Sequence, residues 1–146
     1  MLGLKDALLT LTRALPAAAS TAVTSGSIDL GLTAKGELAT DSEFELVAPA
    51  LTTTMAPDTR TMTYALLLSA NSDMSSPTIF DASFIVQTGA GGVGAATVAR
   101  RFRLPRSPNI SGGITPNSKR YLGFKVTSGA SITDSSAVSA TLDPVF

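Results

Sequence analysis

Apolar and polar residues alternate along six short segments of the chain: "SIDLGL", "EFELVA", "TMTYALLLS", "TIFDASFIVQT", "KRYLGFKV" and "AVSATLD". A period of two places every second side chain on the same face and is typical of half-buried strands. The sequence therefore predicts a strand with one apolar face in each of these six segments. The residues predicted to share a face are, segment by segment, Ile28, Leu30 and Leu32; Phe44, Leu46 and Ala48; Met62, Tyr64, Leu66 and Leu68; Phe80, Ala82, Phe84 and Val86; Leu122, Phe124 and Val126; Val138, Ala140 and Leu142.

Segments rich in Pro, Gly, Asn and Ser separate these strands, among them "APDT", "NSDMSSP" and "TPNS". Such residues favour turns because of their backbone geometry and their short polar side chains. Many short strands joined by polar turns indicate an all-β sandwich or barrel. The chain has 146 residues, the length of one domain, and no segment has the composition of a linker.

An apolar leader precedes the first clear strand. Leu4, Leu8, Leu11 and Leu15 have the spacing of an amphipathic helix that Pro16 would end. The alternation within "LLTLTR" fits an extended strand equally well. We therefore expect either a helical or an extended arm over residues 1–19, followed by one domain over residues 20–146. No apolar run approaches the length of a membrane span.

The chain contains no cysteine and no histidine. Disulfides and thiolate metal ligands are therefore excluded, and the commonest general base and metal ligand is missing. No recognisable catalytic set remains, so the sequence predicts neither an enzyme nor a bound cofactor. The acidic cluster of Asp41, Glu43 and Glu45 could bind a hard cation, but alternate glutamates around Phe44 fit the solvated face of a strand more simply.

Charged residues make up 15% of the chain, against about 25% in an average domain. The formal net charge of zero is unevenly distributed. Residues 1–81 carry 4 basic and 9 acidic groups, a net of −5, whereas residues 82–146 carry 7 basic and 2 acidic groups, a net of +5. This composition suits a surface that a partner protein covers in part, with two regions of opposite sign.

The arginines of "ARRFRLPR" carry most of the positive charge in the second half. Nucleic-acid binding is not predicted, because the total charge is neutral and few aromatic residues lie nearby to stack on bases. A patch that contacts an acidic protein surface and a merely solvated set of arginines are both open interpretations. The residues predicted to contact a partner are Leu2, Leu4, Leu8 and Leu11 in the leader and Arg100, Arg101, Arg103 and Arg106 in the basic stretch.

The segment Gly89–Gly94 reads "GAGGVG" and matches the G-x-G-x-x-G pattern of dinucleotide-binding loops. Those loops need a helix after the glycines and an acidic residue about 20 positions further on. Here the following "AATVARRFRLP" alternates like a strand, with only Arg100 out of phase, and "NISGGITPNS" contains no acid. We therefore expect a pliant connection between two strands and no nucleotide site.

The order of several segments resembles a known family. "IDLG" at Ile28–Gly31, "SANSDMSSPT" at Ser69–Thr78 and "RYLGFKVTSG" at Arg120–Gly129 are its most specific parts. From about Ser20 to Asp143 the chain resembles the small jelly-roll cement, or decoration, proteins of tailed-phage capsids, of the Bordetella-phage cement type. The leader and the glycine-rich segment match least well.

The resemblance implies a jelly roll, a two-sheet antiparallel β-sandwich, carried on the outer surface of the virion. It implies a structural protein that bridges neighbouring major capsid proteins and holds the shell against DNA pressure. We expect the major capsid protein and further copies of the chain as partners, with a trimer favoured over a dimer, and no direct contact with nucleic acid or membrane. The alternative is a β-sandwich binding module, such as a carbohydrate-binding or phage fibre domain.

Overall fold

The computed structural model describes residues 10–30, 43–103 and 121–145 of the chain. These residues form strands, turns and irregular segments, and no helix occurs among them. The nine strands are β1 (Leu11–Ala14), β2 (Ala22–Thr24), β3 (Ile28–Asp29), β4 (Glu43–Ala48), β5 (Thr61–Ser69), β6 (Thr78–Thr88), β7 (Val98–Arg103), β8 (Tyr121–Ser128) and β9 (Ser139–Val145).

Two antiparallel sheets pack face to face. The first sheet has the order β1-β9-β4-β7, and the second has the order β2-β8-β5-β6, with β3 also paired to β8. Thr24 pairs with Lys125 and Ile28 with Leu122, so β2 and β3 are one strand interrupted by an extra residue. Counted as one strand, they complete the eight-strand jelly roll, whose first, eighth, third and sixth strands form one sheet. The predicted all-β sandwich is confirmed.

The core lies between the two sheets and contains most of the predicted apolar faces. Leu46, Tyr64, Phe124 and Leu142 are completely buried and represent β4, β5, β8 and β9. Burying a side chain of this size contributes about 1.5–3 kcal/mol to folding. The alternation predicted for these four strands is confirmed, because β4 pairs with β9, and β5 with β8, in a regular register.

The alternation predicted for β6 is wrong in its second half. Tyr64 of β5 pairs with Ile85, but Leu67 pairs with Ile79, so β6 takes six steps where β5 takes three and contains three extra residues. Extra residues in one strand form a bulge that changes which face the following side chains occupy. As a result Ile85 and Gln87 are buried, whereas Val86 is exposed.

The leader is extended where the structure describes it. Leu11 to Ala14 form β1 and pair with β9, and the side chains of Leu15 and Pro16 that follow are buried in the core. The Leu15 amide donates to the Val138 carbonyl oxygen at 3.0 Å. The extended alternative is therefore correct for these residues, and β1 belongs to the sandwich.

The turn at Asn71–Ser76 folds back over the outer face of the second sheet. Met74, which is buried, lies against Gly123, the cross-strand neighbour of Leu67. The Ser27 hydroxyl donates to the Ser72 carbonyl oxygen at 2.7 Å and ties the turn to the junction of β2 and β3. This turn explains why Leu67 is buried although its side chain points away from the core.

A buried polar network joins the second sheet to the loops at one end of the sandwich. The Tyr64 hydroxyl donates to Gln87 Oε1 at 2.7 Å. Gln87 Nε2 donates in turn to the carbonyl oxygens of Pro49 at 2.7 Å and Ala96 at 2.8 Å. Among the described residues, no buried side-chain polar atom lacks a partner. The network therefore satisfies a glutamine and a tyrosine inside an apolar core at no cost in unpaired groups.

Burial of Tyr64 makes the free energy of unfolding sensitive to alkaline pH. Burial raises the pKa of Tyr64 far above its ordinary value of about 10, so the folded protein holds the phenol neutral. The unfolded chain ionises the phenol above about pH 10, and the free energy of unfolding should then fall by up to about 1.4 kcal/mol per pH unit from this group. We expect Tyr64→Phe to remove this part of the slope when unfolding is measured by denaturant titration.

Tyr121→Phe supplies a direct readout, because the chain has two tyrosines and Tyr64 is the one that remains. In that variant, tyrosinate absorbance should increase only together with the loss of the β-sheet circular dichroism signal. Tyrosinate absorbance that increases while the protein is still folded would contradict the buried position of Tyr64.

Candidate partner-contact surface

The candidate site lies on the side of the sandwich where β6 and β7 are the last strands of their sheets. Four large apolar side chains are exposed among the described residues, and all four lie in the continuous stretch from β6 to the start of β7. They are Ile79, 54% exposed, Val86, 48%, Val93, 79%, and Val98, 37%. Singly exposed apolar residues are ordinary, but the position of all four in one stretch of chain makes this region the candidate contact surface. We call this region the β6–β7 side.

Gly89–Gly94, here called the glycine loop, connects β6 to β7 across this side. Gly91, Gly92 and Gly94 have positive φ angles of 63°, 68° and 78°, which glycine adopts without steric cost. A Cβ atom on Gly94 would lie 2.0 Å from the Leu51 carbonyl oxygen. The glycines are therefore required by backbone geometry and close approach, and the strand β7 that follows offers no helix N-terminus for a pyrophosphate.

The glycine loop is fixed to the segment between β4 and β5. The amide of Gly92 donates to the Asp58 carboxylate at 2.9 Å. Leu51 and Ala95 exchange two backbone hydrogen bonds of 2.8 and 2.9 Å just beyond the loop. The predicted connection between two strands is confirmed, and the structure adds that the loop has hydrogen bonds within its own chain.

Three phenylalanines close the space between the two sheets on this side. The ring of Phe102 in β7 stacks on Phe44 of β4, with 5.7 Å between ring centroids. It also meets Phe84 of β6 edge to face at 5.1 Å. Aromatic pairs in these geometries contribute about 0.5–1.5 kcal/mol beyond their buried area. The two outer strands are thus joined through side chains, without a shared ladder of hydrogen bonds.

Arg100 completes this closure. It pairs with Leu46 and so lies on the core-facing side of β7, as its out-of-phase position in the sequence indicated. Its guanidinium lies 4.6 Å from the centroid of the Phe84 ring and donates a hydrogen bond to the Phe84 carbonyl oxygen. A guanidinium over an aromatic face is attracted to the ring. Arg100 therefore covers the end of the core with its cation at the surface.

Arg101 and Arg103 lie on the opposite, solvent-facing side of β7. Arg101 Nε lies 3.1 Å from the Glu45 carboxylate, and Arg103 lies 3.8 Å from that of Glu43. Each arginine is directly across the strand pair from its glutamate. Exposed pairs of this kind contribute about 0–1 kcal/mol each. That Arg100, Arg101 and Arg103 contact a partner protein stays a prediction, and the structure adds that each has a partner within its own chain.

The glutamates that could have bound a cation are the partners of these arginines. Among the described residues, no group of three or more acidic side chains is arranged to bind a metal ion. Glu43 and Glu45 follow the simpler interpretation, the solvated face of a strand, while Asp41 lies outside the described residues. No helix in the described ranges has the length and hydropathy to cross a membrane.

The leader residues divide between two regions. Leu2, Leu4 and Leu8, like Arg106, lie outside the described residues, and their contact with a partner stays a prediction. Leu11 is half-buried in β1 and packs against the core. Because β1 and Leu15 belong to the sandwich, a truncation that tests the leader must end before Thr10.

The alternative of a sugar-binding module depends on exposed aromatic rings. Tyr64 is completely buried and therefore cannot stack on a sugar. Tyr121 lines a shallow polar depression of about 470 Å³, whose other wall is the turn that contains Asp73. Hydrogen bonds from Ser75 lower the pKa of Asp73. One half-buried tyrosine beside polar side chains is a small stacking platform, so this surface supports sugar binding poorly.

The exposed valines of the β6–β7 side were not among the residues predicted to contact a partner. Val86 was hidden by the register shift, since simple alternation places it with Phe84 in the core. Val93 could have been found, because an apolar side chain between glycines in a turn has no core to face.

Comparison of the chain with family models, with curated proteins and with solved structures gave no match.

Gly91 and Gly94 give a matched test of how the loop is held, because only Gly94 lies against neighbouring backbone. A Cβ on Gly91 meets nothing within 4 Å, so Gly91→Ala should cost only the strain of its positive φ, about 1–2 kcal/mol. Gly94→Ala adds a clash with the backbone at Leu51 and Thr52, and we expect a loss of about 2–5 kcal/mol. Urea denaturation of both variants measures the difference. Equal losses in the two variants would show that the loop is not held as described.

Proposed function

We propose that the protein is a capsid cement protein of a tailed phage, which binds the outer surface of the head and bridges neighbouring major capsid proteins. The observation that carries this proposal is the confinement of the exposed large apolar side chains to one side of a jelly roll. The segments that resemble the cement family support it independently. Self-association, with a trimer favoured, belongs to the same proposal.

Each contact made by the β6–β7 side is expected to be weak. Burying Val86, Val93 and Val98 against a partner contributes about 25 cal/mol for each Å² of apolar surface. Stable interfaces bury about 1,200–2,000 Å² in total, far more than three valines present. A cement protein can work with such contacts, because a copy that bridges two capsid subunits makes its second contact at high effective concentration.

The arginines on the outer face of β7 suit a partner with an acidic surface. Arg101 and Arg103 are held by single glutamates in solvent, where the pairs are easily exchanged. Carboxylates of a capsid protein could take the place of Glu43 and Glu45 without leaving an arginine unpaired. This exchange would favour a correct orientation and a fast encounter more than a high affinity.

The test is the rebinding of purified protein to phage heads from which it has been removed. Val93 is the most exposed of the four apolar residues and lies in the glycine loop at a position with ordinary φ. Val93→Asp should leave folding unchanged and weaken attachment about tenfold or more, since a carboxylate would be buried in the contact. Sedimentation of heads with labelled protein measures attachment.

Ala22→Asp is the matched control, because Ala22 is exposed on β2, outside the leader and at the other end of the second sheet from β6. We expect it to bind heads like the unchanged protein. Equal attachment of Val93→Asp and the unchanged protein would contradict a role of the glycine loop in binding. Failure of the unchanged protein to bind the heads at all would contradict the proposed function itself.

A further inference from the structure

The outer edge of β6 is a second feature of this side that the proposed function does not use. In the described part of the chain, β6 pairs with β5 on one side and with no strand on the other. The Gly89 amide donates to the Arg60 carbonyl oxygen, which continues the ladder toward β5. Because backbone groups in an antiparallel strand alternate in direction, Phe84, Val86 and Thr88 direct theirs to the open edge.

The two neighbouring edges differ in how they resist pairing with another chain. Like charges and irregular backbone are the usual protections of an edge strand. β7 carries Arg101 and Arg103, so a second β7 placed against it would bring arginines together. β6 contains no lysine, arginine or proline, and its only charge is Asp81. Its first half is irregular, but the stretch from Ile85 to Thr88, which follows Phe84, is regular and includes the exposed Val86.

One contact protects this regular stretch, and it comes from the other sheet. The Arg100 guanidinium donates to the Phe84 carbonyl oxygen, an acceptor that a pairing strand would need. The same group lies over the Phe84 ring, 4.6 Å from its centroid, and so occupies space beside the edge. Arg100 thus takes an edge acceptor and places a cation where a second strand would approach.

We propose that the Phe84–Thr88 edge of β6 is a self-association surface for a second copy of this chain, and that Arg100 keeps it closed. Two copies related by a two-fold axis would pair their β6 strands antiparallel, near Val86, and join their second sheets into one. A strand that pairs with its own copy is complementary by symmetry. Main-chain hydrogen bonds at an exposed edge supply the attraction. The inference does not depend on binding to a capsid.

Arg100→Ala tests the proposal by removing both the hydrogen bond and the cation. We expect a concentration-dependent doubling of the wild-type mass in sedimentation equilibrium, whatever that mass is. Arg101→Ala is the matched control: it removes the neighbouring exposed arginine and should leave the mass unchanged. Adding Val86→Lys to Arg100→Ala should restore the wild-type mass, since a lysine on an edge strand opposes pairing.

Disulfide cross-linking is a second measurement, and it can be made with the milder substitution Arg100→Gln. The chain contains no cysteine, so Val86→Cys introduces a single thiol at the proposed axis. Under mild oxidation, the double variant with Val86→Cys and Arg100→Gln should give several-fold more disulfide-linked dimer than the single variant Val86→Cys, which keeps Arg100. The proposal is overturned if the folded Arg100→Ala variant keeps the wild-type mass, or if adding Val86→Lys does not reverse the doubling. It is also overturned if the cross-linked fraction is the same with Arg and with Gln at position 100.

Discussion

The shift of register in β6 between Ile79 and Ile85 determines which side chains face the core on the β6–β7 side. Without it, strict alternation would bury Val86 and expose Gln87. With it, Phe84 and Ile85 are both buried, and Gln87 reaches the Tyr64 hydroxyl. The aromatic closure, the buried polar network and the exposed valine are three consequences of the same extra residues in one strand.

The shift also fixes the loops at the end of the strand. Gln87 donates to the carbonyl oxygens of Pro49 and Ala96, which lie between the Leu51–Ala95 bridge and the Ala48–Val98 pair. The glycine loop is thereby attached to the core through a side chain, in addition to its own backbone contacts. A loop held in this way presents Val93 to solvent in a fixed place, which a contact surface requires.

Period-two alternation was sufficient to predict β4, β5, β8 and β9, because each of these strands keeps one face toward the core along its length. It failed in β6, since a bulge leaves no mark in the order of apolar and polar residues. Arg100 shows the opposite case. Its break in the alternation of β7 was visible in the sequence, but its reason, the Phe84 ring in the other sheet, could be found only from the fold. The two forms of the leader could not be separated either, because pairing with β9 decides between them.

We attribute binding to the β6–β7 side, which contains the exposed apolar residues, the arginines of β7 and the glycine loop. The most direct measurement is an electron cryomicroscopy map of phage heads that carry the protein. We expect Val93 and Val98 to be buried against a capsid protein, and β2, at the other end of the second sheet, to lie farther from the shell. A map in which the β6–β7 side faces solvent while another surface contacts the capsid would contradict this expectation.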